Sequence, residues 1–416
     1  MSKKFLLVGT LDTKGMEYAY ARELIQSQGL PCILMDMGVM GDPQCEPDIS
    51  ADEVARAGGS SLSALRESGS RSHALDVLTQ GAVELTGNAA SQLAGVLALG
   101  GSGGTAVGTA VMRSLPIGLP KVMLSTLASG NVAPYVGESD IAMMYSVVDI
   151  AGLNQVSRMI ISNAVGALCG MAKQEVSEQA SALRPLIAAS MFGVTTPCVT
   201  KVRDHLEVSG YEVVVFHATG SGGRAMEKLI ADGFFKGVAD ITTTEWCDEV
   251  VGGVLSAGPR RLEAAITAGI PQVISCGALD MVNYWALETV PTKFRERILH
   301  PHNANVTLMR TSVEECVQIG REIGIRLRQA RAPVTLLIPL RGVSMLDAPD
   351  QPFFDPSANQ ALFDSLRANC DSSVSVKEYD LHINDPGFAK ALANELMHNL
   401  AENIPGQIMK KTQRLK

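Results

Sequence analysis

Aromatic residues are scarce in this chain, with two Trp, seven Tyr and ten Phe among 416 residues, and charged residues reach only 19%. Large rings therefore do not dominate the core. Hydrophobic residues reach 46% and glycines number 39, which fits parallel-sheet proteins whose buried strands read as apolar runs joined by glycine turns. Eight cysteines are present without one C-x-x-C pair, so neither a zinc ribbon nor a dense disulfide scaffold is signalled, and no metal centre is read. No run approaches the ~20 apolar residues of a membrane span, and the N-terminal apolar stretch Phe5–Gly9 is too brief for a signal peptide. A net charge of −8 without a basic stripe excludes a broad nucleic-acid or anionic-membrane surface. The expectation is a cytoplasmic protein that takes a small ligand.

The chain length suits two domains of roughly 200 residues. Phe5–Gly9 reads as a buried strand, Thr10–Gly15 as a turn, Met16–Gln28 as an amphipathic helix ended by Gly29, and Pro31–Asp36 as the next strand. Shifted by 181 residues the pattern recurs, with strand Leu186–Ser190, turn Met191–Thr196, a helix opening at Pro197 and ending at Gly210, and strand Glu212–Phe216. Residues 38–92 read as a loop plus helices, and the polar stretch Ala172–Arg184 as the domain boundary. The expected fold is α/β: two Rossmann-like, doubly wound domains, 1–184 and 185–416, with mainly parallel sheets related by an internal repeat.

Glycine loops supply the first chemistry. Leu97–Leu99 runs into Gly100-Gly101-Ser102-Gly103-Gly104-Thr105, and a near copy, Phe216–Ala218, runs into Thr219-Gly220-Ser221-Gly222-Gly223-Arg224. A strand that stops in glycines and restarts as a helix presents backbone N–H groups to an anion. Gly9–Gly15 resembles a phosphate loop but is not a P-loop, because Lys14 precedes the second glycine and no Ser/Thr follows it. Asp36 closes the second strand, where a carboxylate can bind ribose hydroxyls. The strand after the first glycine loop ends at Ser125-Thr126 with no acid, which disfavours a nicotinamide dehydrogenase; Ser125, Thr126 and Asn131 offer neutral hydrogen bonds instead. The plain alternative is a set of turn formers, with Asp12 as a helix cap.

In the second half, Ser256–Arg261 is a turn before a helix, and Arg260 or Arg261 can clamp an anion. Asp280 sits at a strand end, His300–Asn303 reads as a turn in which His302 is a general base or a ligand-binding residue, and Pro339–Asp347 leads into an acidic loop. Ser344 lacks a G-x-S-x-G elbow and is no hydrolase nucleophile.

Taken together, Val8–Lys14, Leu99–Thr105, Asp149–Asn154, Ser256–Glu263 and His302-Asn303 resemble the Tm-one-like ATP-binding domain family, over almost the whole chain. The resemblance implies two Rossmann-like subdomains, ATP binding in the first, and a homodimer. It implies Thr10, Asp12, Thr13 and Lys14 near phosphates or Mg²⁺, Asp36 near ribose, and Gly101, Ser102, Gly103, Gly104 and Thr105 beneath the phosphate chain. The expected activity is Mg²⁺-dependent phosphoryl or nucleotidyl transfer to a small acidic metabolite in the interdomain cleft. Lys14, Asp280 and His302 are its expected catalytic residues, and Gly222, Gly223, Arg260, Asn303 and Arg341 its expected anion ligands. The competing expectation is a non-catalytic module that responds to ATP.

Overall fold

Alternation along the first strand already defines two helix layers. In the computed structural model, which describes residues 3–174 and 184–403, Phe5 and Leu7 face one way and Leu6 and Val8 the other, all four buried. The chain packs as two compact units, Met1–Ala180 and Ser181–Lys416. The expected boundary stretch Ala172–Arg184 lies mostly outside the described residues.

The first unit runs β1 (Lys4–Gly9), α1 (Leu11–Gln26), β2 (Cys32–Asp36), α2 (Ala51–Ala57), α3 (Leu62–Glu67), α4 (Arg71–Ala89), β3 (Leu93–Gly100), α5 (Ser102–Ser114), β4 (Lys121–Ser125), α6 (Ala133–Val136), β5 (Ala142–Tyr145) and α7 (Gln155–Lys173). Its five strands are all parallel in the order β2-β1-β3-β4-β5. Phe5, Leu7, Leu97, Leu99, Val122 and Leu124 pack against α1 and α7, while Leu6, Val8, Val96, Ala98 and Met123 pack against α2, α4 and α5. Each such buried Val, Leu, Met or Phe side chain is worth about 1.5–3 kcal/mol.

The second unit runs β6 (Leu186–Met191), α8 (Thr196–Val208), β7 (Glu212–His217), α9 (Ser221–Ala231), β8 (Gly237–Thr242), α10 (Glu245–Val251), α11 (Glu263–Ala268), β9 (Gln272–Gly277), β10 (Met281–Tyr284), β11 (Leu299–Asn303), β12 (Val306–Arg310), α12 (Val313–Leu327), β13 (Val334–Pro339), α13 (Pro356–Asn369), β14 (Val374–Tyr379) and α14 (Pro386–Glu402). Its main sheet is again all parallel, β7-β6-β8-β9-β13-β14. Both units are thus Rossmann-like, and they share the 2-1-3-4 start of the strand order. The second unit adds a small antiparallel sheet, β10-β12-β11.

Several local readings shift. α1 starts at Leu11 rather than Met16, because the Thr10 carbonyl accepts from Thr13 and Lys14; the price of that early turn is a kink at Lys14 (φ −127°, ψ 15°). His300–Asn303 is not a turn but most of β11, an edge strand paired to β12. β11 and β12 form a hairpin, held in the small sheet by β10, a strand distant in sequence that local spacing does not reveal.

Candidate functional site

In a parallel sheet of this order the chain leaves β1 toward one face and β3 toward the other, so the strands' carboxyl ends open into a crevice where ligands bind. Here α1 covers one face and α5 the opposite one. The two loops at the crevice are Thr10–Lys14 and Gly101–Gly104.

A buried phenol fixes the floor of this crevice. The Tyr18 hydroxyl donates within reach of the Val8 and Leu99 carbonyls and accepts from the Leu99 N–H at 2.7 Å, linking β1 to β3 where their ladder ends. Burial raises its pKa, so the phenol stays protonated.

α5 begins with Gly101 as N-cap and no side-chain cap. The Thr105 N–H bonds the Gly101 carbonyl at 2.8 Å, whereas the N–H groups of Ser102, Gly103 and Gly104 find no acceptor among the described residues. Glycine is required at 100, because a Cβ there would stand 2.9 Å from the Gly104 Cα. The Thr105 hydroxyl bonds the Gly101 carbonyl and the Ser125 hydroxyl, each at 2.7 Å, and Ser125 also accepts from the Leu127 N–H. Thr105 and Ser125 are both buried and brace the loop from below. Thr126 is half-buried, its hydroxyl 3.7 Å from where a Gly101 Cβ would be, while Asn131 is exposed and caps the Ala133 N–H.

Two carboxylates flank the crevice, Asp12 from the first turn of α1 and Asp36 from the end of β2. Asp36 Oδ1 accepts from the Leu11 and Gly38 N–H groups at 3.0 and 2.8 Å. Burial raises the Asp36 pKa, those hydrogen bonds oppose the rise, and the charge of Asp12 adds to it. Asp12 Oδ2 accepts from the Met40 N–H at 2.9 Å and from the Gly41 N–H at 3.3 Å, while its Oδ1 is shielded and unpartnered. A Cβ on Gly38 would lie 2.8 Å from the Asp12 Cγ and 3.0 Å from Asp36 Oδ1, so only glycine lets the acids approach. Asp12 is therefore a loop staple and not a cap. Thr10 and Thr13 bond each other through their hydroxyls at 3.0 Å. The Lys14 ammonium donates to the Ile150 carbonyl, and Glu17 accepts from the Gly152 N–H at 2.6 Å.

The second glycine loop is not the topological twin of the first. It follows β7, the second strand of its unit, whereas Gly100–Gly104 follows the third; the counterpart of that third strand, β8, runs into Thr243-Thr244-Glu245. Glu245 then reaches back to the α9 loop. Its Oε1 accepts from the Gly220 and Gly223 N–H groups at 2.7 and 3.1 Å, and its Oε2 from Arg261 Nε at 2.7 Å. A Cβ on Gly223 would meet that carboxylate at 2.1 Å. The cradle at Gly222 and Gly223, expected to take a free anion, is thus filled by the protein's own carboxylate. Arg261 also pairs with Asp240 and Glu227, and the Asp240 carboxylate accepts from the Ser190 hydroxyl at 2.7 Å. Arg261, rather than Arg260, is the clamping residue, and its anions are internal; Arg260 is exposed.

The other second-unit expectations separate in space. Asp280 is fully buried under Ser344, whose hydroxyl donates to its Oδ2 at 2.7 Å, while Oδ1 is unpartnered. Burial raises its pKa, with the neighbouring Asp347 charge adding to that. His302 and Asn303 are exposed on β11, and Arg341 forms an exposed pair with Asp380. Asp280 and His302 are not assembled into one site. Among the described residues no three His, Cys, Asp or Glu side chains converge in a way that can hold a metal.

Sequence reading missed Tyr18, Glu17, Glu245 and Asp240. Tyr18 and Glu17 carried one available signal, a large polar pair inside a 16-residue helix whose small and apolar positions Leu11, Gly15, Ala21 and Ile25 mark a buried face. Nothing local distinguishes Glu245 from a solvated acid.

Two α/β units built on the same strand order, one with an open amide cradle and one with its cradle filled, define a tandem Rossmann-like protein. The chain belongs to the uncharacterised protein family UPF0261: the model of its N-terminal domain matches residues 3–177 and that of its C-terminal domain residues 184–400. A UPF0261 protein of Clostridium tetani is 50% identical over 401 residues, spanning 96% of this chain and 99% of that one. One from Rhizobium meliloti is 49% identical, over 94% of this chain and 97% of its own. The tomato (Solanum lycopersicum) ToMV resistance protein Tm-1(GCR237) is 46% identical over 74% of this chain, which corresponds to 42% of the tomato protein. The resemblance to the Tm-one-like family is therefore borne out. A putative UDP-N-acetylglucosamine 2-epimerase from Listeria monocytogenes aligns with a TM-score of 0.23 at 12% identity, over 66% of this chain and 79% of that one. No helix among the described residues is long and apolar enough to cross a membrane.

Proposed function

We propose that the first unit binds ATP with Mg²⁺ at the carboxyl ends of β1 and β3. The observation that carries this reading is the run of three unengaged N–H groups, Ser102 to Gly104, at the start of a 13-residue helix beside the strand-order switch. Aligned peptide dipoles and free donors favour a phosphate there. The unpartnered Asp12 Oδ1 is a donor of the kind Mg²⁺ takes, one carboxylate oxygen with phosphate and water supplying the rest. Asp36 retains Oδ2 for a ribose hydroxyl, since its two amide donors both use Oδ1. Bound Mg²⁺ would neutralise phosphate charge.

Of the two expected activities, binding without turnover has the stronger support. Asp280 is sealed beneath Ser344 and His302 lies on an exposed edge strand, so among the described residues the groups expected to carry phosphoryl or nucleotidyl transfer to a small acid are not assembled. Calorimetric titration of the full chain with MgATP tests the proposal, alongside Gly103→Asp. At position 103 only Leu75 comes within 4 Å of an added Cβ, at 3.9 Å, so the fold tolerates the change while its charge opposes the phosphate. Loss of binding in Gly103→Asp is expected, and unchanged affinity would overturn the site. Appearance of ADP, AMP or pyrophosphate with a panel of small carboxylic acids would establish transfer instead.

A further inference from the structure

The chain between β5 and α7 must travel from the edge of the sheet to the face that α1 and α7 share. Its route is pinned at both ends. Ser146 N–H donates to the Ser125 carbonyl at 3.1 Å, and a γ-turn follows in which Val148 N–H returns to the Ser146 carbonyl at 2.6 Å. Val147 at its centre has φ 61°, a left-handed backbone that a β-branched residue adopts only when its surroundings impose it. At the far end Asn154 caps α7 with a capping box.

Between these pins, α1 grips the backbone. Lys14 donates to the Ile150 carbonyl and Glu17 accepts from the Gly152 N–H at 2.6 Å. The two residues are three apart on α1 and so share a face. One reads a carbonyl and the other an amide two residues on, so together they hold a stretch of main chain rather than a side chain. The Asp149–Asn154 motif thereby acquires a physical role: it is the strap that α1 fastens.

We propose that Lys14 is shared between this strap and the phosphate, a ligand-binding residue whose transfer to the anion loosens residues 147–153, with Glu17 as the positioning residue that keeps Gly152 in register. The inference rests on the nucleotide reading above. Lys14 leaves the loop at the same carboxyl-terminal end of the sheet that presents the free amides of Ser102 to Gly104. An ammonium bonds a phosphate oxygen more strongly than a neutral carbonyl, because both partners are then charged. A single ammonium drawn to the phosphate must weaken its hold on Ile150.

Hydrogen exchange read by mass spectrometry on the full chain tests this, with and without MgATP. MgATP should slow exchange at residues 102–105 and speed it at least threefold over 147–153. Lys14→Met should speed exchange over 147–153 without nucleotide, with no further change on adding MgATP, whereas Lys14→Arg should restore the response. Glu17→Gln keeps an oxygen for the Gly152 N–H and should leave the strap protected; Glu17→Ala should not. Slowing at 102–105 with 147–153 unchanged would overturn the sharing, as would Lys14→Met exchanging like the wild type. Absence of both calorimetric heat and slowing at 102–105 would overturn the nucleotide reading and the sharing with it, while the Lys14→Met arm still decides whether the tether exists.

Discussion

The phenol of Tyr18 occupies the space that a side chain on Gly9 would need: a Cβ at position 9 would lie 2.0 Å from the Tyr18 oxygen and 2.1 Å from its ring. The glycine at the end of β1 is thus demanded by a residue of the following helix. Gly9→Ala should destabilise the first unit by roughly 1–3 kcal/mol, the usual cost of overpacking a filled core. Tyr18→Phe gives no relief, because the ring atoms remain. Differential scanning calorimetry should show the first unit's transition lowered in Gly9→Ala, and the double variant Gly9→Ala, Tyr18→Ala should lose less than the sum of the two single losses, because without the ring the added methyl has no clash to make.

Arg261 neutralises three acids, Asp240, Glu227 and Glu245, within a buried network. Arg261→Met would leave them facing one another without a cation, a loss of about 3–5 kcal/mol by comparison with broken buried pairs. Glu245→Gln should cost less, since it keeps an oxygen for the Gly220 and Gly223 amides and removes an excess negative charge. Melting of the second unit ranks the two. Arg261→Met being the milder variant would contradict the network's assigned role.

Burial pushes Asp248 up to about 7 from an ordinary value of 3.8, against the opposing hydrogen bonds from Asn283. Below about pH 4 the group is protonated in both states and its contribution to stability is intact. Between pH 4 and pH 7 the unfolded chain ionises while the folded one does not, so stability falls by about 1.4 kcal/mol per pH unit from this group. Above pH 7 the loss is constant. Asp248→Asn should abolish that slope, and the Asn283 amide can turn its unpartnered Oδ1 to the new donor. The variant's melting advantage over wild type should therefore grow from pH 5 to pH 7.5.

Asp36 offers a way to separate ribose from phosphate recognition. Asp36→Asn can keep Oδ1 for the Leu11 and Gly38 amides, preserving the loop, while replacing the oxygen available to a ribose hydroxyl by a donor. ATP should bind roughly tenfold more weakly, the scale of about 1.4 kcal/mol for one such contact. Pyrophosphate, which has no ribose, should bind as before. Equal losses for both ligands in parallel titrations would remove Asp36 from ribose recognition.

Much of this was legible in residue order alone. Apolar runs such as Leu93–Gly100 and Val334–Pro339 declare buried parallel strands, and the 181-residue shift that carries Gly29 onto Gly210 discloses the repeated βαβ start. The site was half legible. The glycines at 100–104 are local backbone chemistry, and a strand-glycine-helix junction states its own amides. The second loop reads the same way, yet its amides are taken.

Sequence by itself thus determined the strand and helix periods, the two-unit organisation and the existence of two amide-rich junctions, because each is set by neighbours a few residues apart. Only tertiary structure decided which junction is free. Glu245 lies 22 residues beyond Gly223, and Tyr18 meets Leu99 from 81 residues away. Whether a cradle is open or filled depends on such distant side chains, since occupancy is a matter of which acceptor the fold brings within 3 Å of an amide.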